Sequence, residues 1–368
     1  MTLPPLVRIG AVACLTVSMG LVAAPPGPGI VPADSATATS KTARIDGRIV
    51  FDDFQTGQIY TVNPDGTALM QVTHLHGDHI AFGPQWAPKS HRLVYISNKT
   101  GNFRLHLMRT SGTHDHLLAP DRQGYQDFTP TFMPGGRTVV YTRCQPDPTG
   151  GCALYSIRVD GTGRHALTRY RSGAQQGADF LPDVSPNGHR IAFSRFDSGG
   201  LLSQIWVMHS DGTHPHPITA PRLEGLAATW TPTGRHLLFM SNGAHPGSSI
   251  YQIRPNGSQL TRLTAPRWPN NDIVPSSSPR GDRIAFSSDR THPDLCCQEL
   301  YIMNADGTHA RRVPTGLHGV GRSDWGTAPA LPAAVHPSPT AKPTKARLHD
   351  IKAAERQARP WTITPTRR

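Results

Sequence analysis

The chain has little charge and few aromatic rings. Asp, Glu, Lys and Arg make up 17% of its 368 residues, and Phe, Trp and Tyr 7%. With 37% hydrophobic residues, this composition excludes a mostly disordered chain, which needs more charge and fewer apolar side chains. Glycine at every third position is missing, so collagen is excluded. Beyond Ala24, no apolar run approaches the length of a membrane helix. No Gly-x-Ser-x-Gly elbow occurs, which removes the usual mark of an α/β-hydrolase nucleophile. Cysteines number five, with no Cys-x-x-Cys pair to suggest a zinc ribbon.

Glycine and proline are abundant, at 35 each. So many helix breakers exclude coiled coils and helical bundles. A turn-rich, strand-rich protein remains, long enough for a large core. The 37 Lys+Arg against 25 Asp+Glu leave a formal net charge of +12.

Residues 1–24 read as a secretory signal: Arg8 supplies the positive region and Ile9–Ala23 is apolar without charge. Residues 25–44, rich in Pro, Ala, Ser and Thr, form a linker. The expected location is therefore secreted, periplasmic or on the cell envelope. Export favours oxidised cysteines. Cys144 and Cys152 flank a loop between two apparent strands, and a disulfide is expected there. Adjacent Cys296 and Cys297 either bridge each other or stay as two thiols.

A repeat organises the rest. Turns recur at Asp65-Gly66-Thr67, Ser111-Gly112-Thr113, Asp160-Gly161-Thr162, Asp211-Gly212-Thr213, Asn256-Gly257-Ser258 and Asp306-Gly307-Thr308, at spacings of 46, 49, 51, 45 and 50. A second anchor is a Pro–Gly turn before an apolar run, as in Ser185-Pro186-Asn187-Gly188 followed by Arg190–Ser194. One unit predicts a strand ending at Val184, a second over 190–194, a third over 204–208 and a short fourth near Ile218-Thr219. Four antiparallel strands at this period describe a propeller blade.

The ends are complementary. Gly47–Phe51 matches the second strand of a unit, and Ser323–Gly326 matches the first. The reading is all-β: a six-bladed propeller over 45–326, its last blade completed by pairing the N- and C-terminal strands. Closure removes exposed sheet edges. Trp86, Trp230 and Trp325 hold equivalent repeat positions and are expected in the blade core.

The motif of Ser185–Ser194, together with Leu300-Tyr301-Ile302-Met303-Asn304-Ala305-Asp306-Gly307-Thr308, resembles the WD40-like (PD40) repeat of TolB-type propellers. The resemblance covers about residues 45–326. It implies an exported propeller used as a binding platform for a protein, peptide or envelope glycan, and it says little about activity. TolB carries a further domain before its propeller, where this chain shows a short linker. Exopeptidases with similar propellers carry a hydrolase domain that has no counterpart here.

His74, His76, Asp78 and His79 spell the HxHxDH string of metallo-β-lactamase-type hydrolases. The string falls in a connection between blades rather than in that family's αββα fold, so the hydrolase assignment is rejected. What survives is a candidate divalent-metal site at His74, His76 and His79 on an exported surface. A metal-dependent hydrolase or lyase using it is the alternative to a non-catalytic binding protein. Asp127, Asp179 and Asp272 each stand three residues before a proline and share the face reached by the blade connections. They either cap strands or ring a binding site for a cation or basic peptide. Trp268, in a connection, is the candidate for exposed ligand contact.

Residues 327–368 form a Pro/Ala-rich basic tail, expected to be largely disordered, with 8 Lys+Arg against 2 Asp+Glu. Its charge suits contact with an anionic envelope surface. Nucleic acid is not an expected partner, and a monomer is expected.

Overall fold

The computed structural model describes residues 47–331 apart from 89–90, 121–123, 147–150, 171–176, 198–201, 244–246, 293–296 and 330. The expected signal, the linker up to residue 44 and the tail beyond residue 331 lie outside the described residues. Within them, strands form six separate four-stranded antiparallel sheets. The six innermost strands are Ala81–Trp86, Gln126–Phe132, Asp179–Val184, Gly225–Trp230, Asp272–Ser277 and Val320–Gly326. Each touches the innermost strands on either side, so the sheets close into a ring.

The ring closes as the chain ends imply. Val320–Gly326 pairs antiparallel with Arg48–Asp53, placing Trp325 opposite Ile49 and Gly326 opposite Arg48. Gln58–Val62 and Met70–Gln71 complete that blade. Alternating apolar residues on each sheet meet those of the next, as Phe51, Tyr60 and Trp325 meet Leu300 and Ile302. Trp86, Trp230 and Trp325 are all buried in these inter-blade layers.

The repeated turn has a packing reason for its glycine. Gly212 has φ +89°, and a Cβ added there would lie 2.3 Å from the Leu167 carbonyl oxygen of the preceding blade. Gly112, Gly161, Gly257 and Gly307 approach the carbonyl just after the preceding blade's outer strand in the same way. Only glycine tolerates both the left-handed backbone and the close approach. The aspartate of the turn accepts bonds from the Thr backbone N–H and hydroxyl two residues on, as Asp211 does from Thr213 at 2.9 and 2.7 Å.

The fourth strand of the same blade differs from its expected place. It spans His216–Pro217 rather than Ile218-Thr219. Ile218 turns inward, its N–H donating to the Ile205 carbonyl at 2.9 Å, and the Thr219 hydroxyl accepts from Ile205 N–H at 2.9 Å. A side-chain oxygen thus replaces a ladder carbonyl and ends the strand early. Thr73, Thr168 and Thr264 play the same part in other blades, which explains the recurring apolar-Thr step.

Candidate binding face

Antiparallel alternation sorts the connections onto two faces. The Pro–Gly and Asp-Gly-Thr turns share one, the turn face. The links between second and third strands, and those from each outer strand to the next innermost strand, share the other, the loop face.

Each innermost strand is irregular where it approaches the loop face. Gly83, Thr129, Leu181, Ala227 and Val274 all have φ between +44° and +59° at a shift in register. For β-branched Thr129 and Val274 this is strained backbone. Side chains of neighbouring strands bind the freed amides. The Asp52 carboxylate accepts from Gly83 N–H at 2.9 Å and Arg322 N–H at 3.2 Å, and the Ser194 hydroxyl accepts from Ala227 N–H at 3.2 Å. Burial pushes Asp52 up to about 7, against these two donors.

One turn further along, polar residues of the innermost strands link blade to blade. Asp183 accepts from Trp230 N–H at 2.7 Å and from the hydroxyls of Thr229 and Thr131 at 3.0 and 3.1 Å. Asp324 accepts from Trp86 N–H at 2.8 Å. Burial raises both carboxyls, Asp324 to about 6, while the Arg322 guanidinium acts the other way.

The histidine string lies on the loop face. Its backbone is held by Gln58, whose side chain donates to Leu75 O and accepts from Leu75 N–H, and by Asn98, which accepts from Ile80 N–H at 2.8 Å. His74, His76, Asp78 and His79 are all exposed, and the structure does not gather their ligand atoms into a common site.

Asp127, Asp179 and Asp272 start their innermost strands beside the loop face, but they are at most 1% exposed. Each meets an arginine of its own blade: Arg143 on Asp127 at 2.8 Å, Arg195 on Asp179 at 2.7 and 2.9 Å, and Arg290 on Asp272 at 2.7 Å. The arginines in turn lie over Tyr125, Trp206 and Phe286. These carboxylates order the blade and do not form an open ring.

Trp268 is 57% exposed on the loop face. Cys144 and Cys152 stand opposite each other in adjacent strands and are disulfide-bonded, clipping a loop of the same face. Cys297 is also disulfide-bonded, and Cys296 lies outside the described residues. Sequence reasoning missed one group. Among the described residues, three metal-ligating side chains converge within 4.8 Å at His292, Glu299 and His318. They lie 7 and 19 positions apart, on a loop, the strand after it and the next blade connection, so no local motif announces them.

A closed ring of six four-stranded antiparallel blades, with repeated turns on one face and varied loops on the other, defines a β-propeller. No family model matches the chain. It is 32% identical over 139 residues to a Protein TolB homolog of Chlorobium luteolum, covering 37% of this chain and 29% of that protein. It is 25% identical over 193 residues to the Tol-Pal system protein TolB of an Anaeromyxobacter species, covering 51% and 42%. The chain thus spans less than half the length of these curated relatives. Among solved structures, TolB from Acinetobacter baumannii superposes with a TM-score of 0.60 at 19% identity, over 77% of this chain and 67% of that one. The fold is that of a TolB-type six-bladed β-propeller.

Proposed function

We propose that this chain is an exported, non-catalytic propeller that binds a protein or peptide of the cell envelope through its loop face. The carrying observation is the contrast between the faces. The turns repeat one bonding scheme, as in Asp65, Asp160, Asp211 and Asp306, which leaves them little freedom to vary. The loops differ from blade to blade and carry Trp268, the disulfide clip and the histidine string. A rigid ring presenting varied loops binds with little ordering cost. The name of one relative, a Tol-Pal system protein, supports a protein partner over a glycan. The signal-like residues 1–24 support an envelope location. No observation favours a hydrolase or lyase built on His74, His76 and His79, which lie exposed and outside the one converging ligand group found among the described residues.

The test is affinity retention of envelope proteins on the immobilised mature chain. Trp268→Ala combined with His79→Ala should weaken binding of a saturable partner about tenfold or more, as loss of an anchor residue does. Arg235→Ala with Arg280→Ala, on the turn face, should leave binding unchanged. The opposite pattern would overturn the reading. The basic tail adds a salt-sensitive contact: removal of residues 332–368 should reduce retention on anionic vesicles at low salt only.

A further inference from the structure

We infer that His292, Glu299 and His318 form a binding site for zinc or a similar first-row divalent cation, which ties the loop of one blade to the segment that closes the ring. Glu299 begins the third strand of its blade, and His292 lies in the loop just before it. His318 sits in the connection that enters the closing strand, Val320–Gly326.

The donor atoms are placed for a metal. His292 Nε2 lies 3.6 Å from Glu299 Oε2, and His318 Nδ1 lies 3.2 Å from Glu299 Oε1. One ligand atom from each residue falls within 4.8 Å of the other two, a spacing at which a single cation can sit among them. Both ring nitrogens are shielded from solvent and face the Glu299 carboxylate without a well-aligned hydrogen bond. A cation between them and the carboxylate would satisfy both nitrogens. The imidazole and carboxylate donor set suits zinc, nickel or copper better than calcium or magnesium.

The site also has outer support. The Thr291 hydroxyl donates to Glu299 Oε2 at 2.7 Å, and Arg312 donates to Oε1 at 2.9 Å, fixing the carboxylate plane. Arg312 is a cation on the same carboxylate, and its side chain is half exposed. The His318 carbonyl accepts from Gln298 N–H at 2.8 Å and from Gln55 Nε2 at 3.4 Å, and His292 N–H donates to the Asp289 carbonyl at 2.7 Å. The ligand backbones are therefore held on both sides. Gln298 and Gly319 form a parallel bridge, so a cation here would reinforce a contact that already joins the closing strand to its neighbour.

The experiment compares Zn²⁺ binding by the intact mature chain and its variants, with weak surface binding removed by a competing chelator. The wild type should retain about one equivalent and melt at a higher temperature with Zn²⁺ than without. His318→Ala and Glu299→Gln should each weaken that affinity by at least about 100-fold and lose the thermal shift. His318 is exposed enough that its variant should fold, which unfolding without metal would check. His74→Ala combined with His76→Ala and His79→Ala should retain the equivalent. Equal retention by wild type and both ligand variants would overturn the site, as would loss of the metal only in the His74, His76 and His79 variant.

Discussion

The two faces of the ring follow different rules. On the turn face, the Asp-Gly-Thr turn is held by the same side-chain bonds in blade after blade, and its glycine presses on the preceding blade. On the loop face, each connection is tied down by its own residues: Gln58 and Asn98 at one place, Asn271 and Asp289 at another, a disulfide at a third. A repeat keeps what the neighbouring blade demands and lets the rest diverge. The divergent side is then the one free to recognise something.

The largest expected effect lies on the turn face. Gly212→Ala should destabilise the protein by roughly 3 kcal/mol or more, because the new Cβ meets a backbone carbonyl and the backbone is left-handed. Gly77→Ala on the loop face is the matched control. Its φ is +64°, but a Cβ added there would meet nothing within 4 Å, so a cost of about 1 kcal/mol is expected. Denaturant unfolding compares the two, and equal losses would erase the distinction between the faces.

Opening the loop-face clip comes next. Replacing Cys144 and Cys152 by Ser should cost about 2–3 kcal/mol, the loop entropy of a separation of 8 residues, while the circular dichroism of the ring stays unchanged.

Beneath the loop face, Asp52 and Asp324 have raised folded-state values of about 7 and about 6. Groups of this kind favour folding fully below an unfolded value of about 4, and the benefit disappears as pH rises through 6 to 7. The unfolding midpoint should therefore fall between pH 5 and pH 8. In Asp52→Asn, which keeps an acceptor for Gly83 and Arg322, the fall should be shallower. A midpoint that rises over this range would contradict the assignment. Smallest of all, Trp268→Ala should change stability by no more than about 0.5 kcal/mol, since its ring is mostly in solvent. Its effect should appear in partner binding alone.

Much of the turn face was legible in the sequence. Asp-Gly-Thr and Pro–Gly turns, β-strand alternation and complementary ends act locally, and the blade count and closure followed from them. The loop face was legible only where its chemistry is local, as with the clip between Cys144 and Cys152. The histidine string is compact in sequence, yet its residues are exposed and do not form a converging ligand group. The group at His292, Glu299 and His318 is the reverse, brought together by one blade's loop and strand and the connection into the closing strand. Asp127 and Asp179 had a readable signal that was not used: Arg143 and Arg195 stand directly across the hairpin from them. An Asp opening one strand and an Arg closing its antiparallel neighbour predict a cross-strand pair.

The most direct measurement is photo-crosslinking from single positions in the protein expressed in cells from its full sequence. Probes at His79 and Trp268 sample the loop face, and probes at Arg235 and Arg280 sample the turn face. The account predicts one discrete protein adduct from the loop-face positions and none from the turn face. Adducts that form from Arg235 and Arg280, with none from His79 or Trp268, would contradict it.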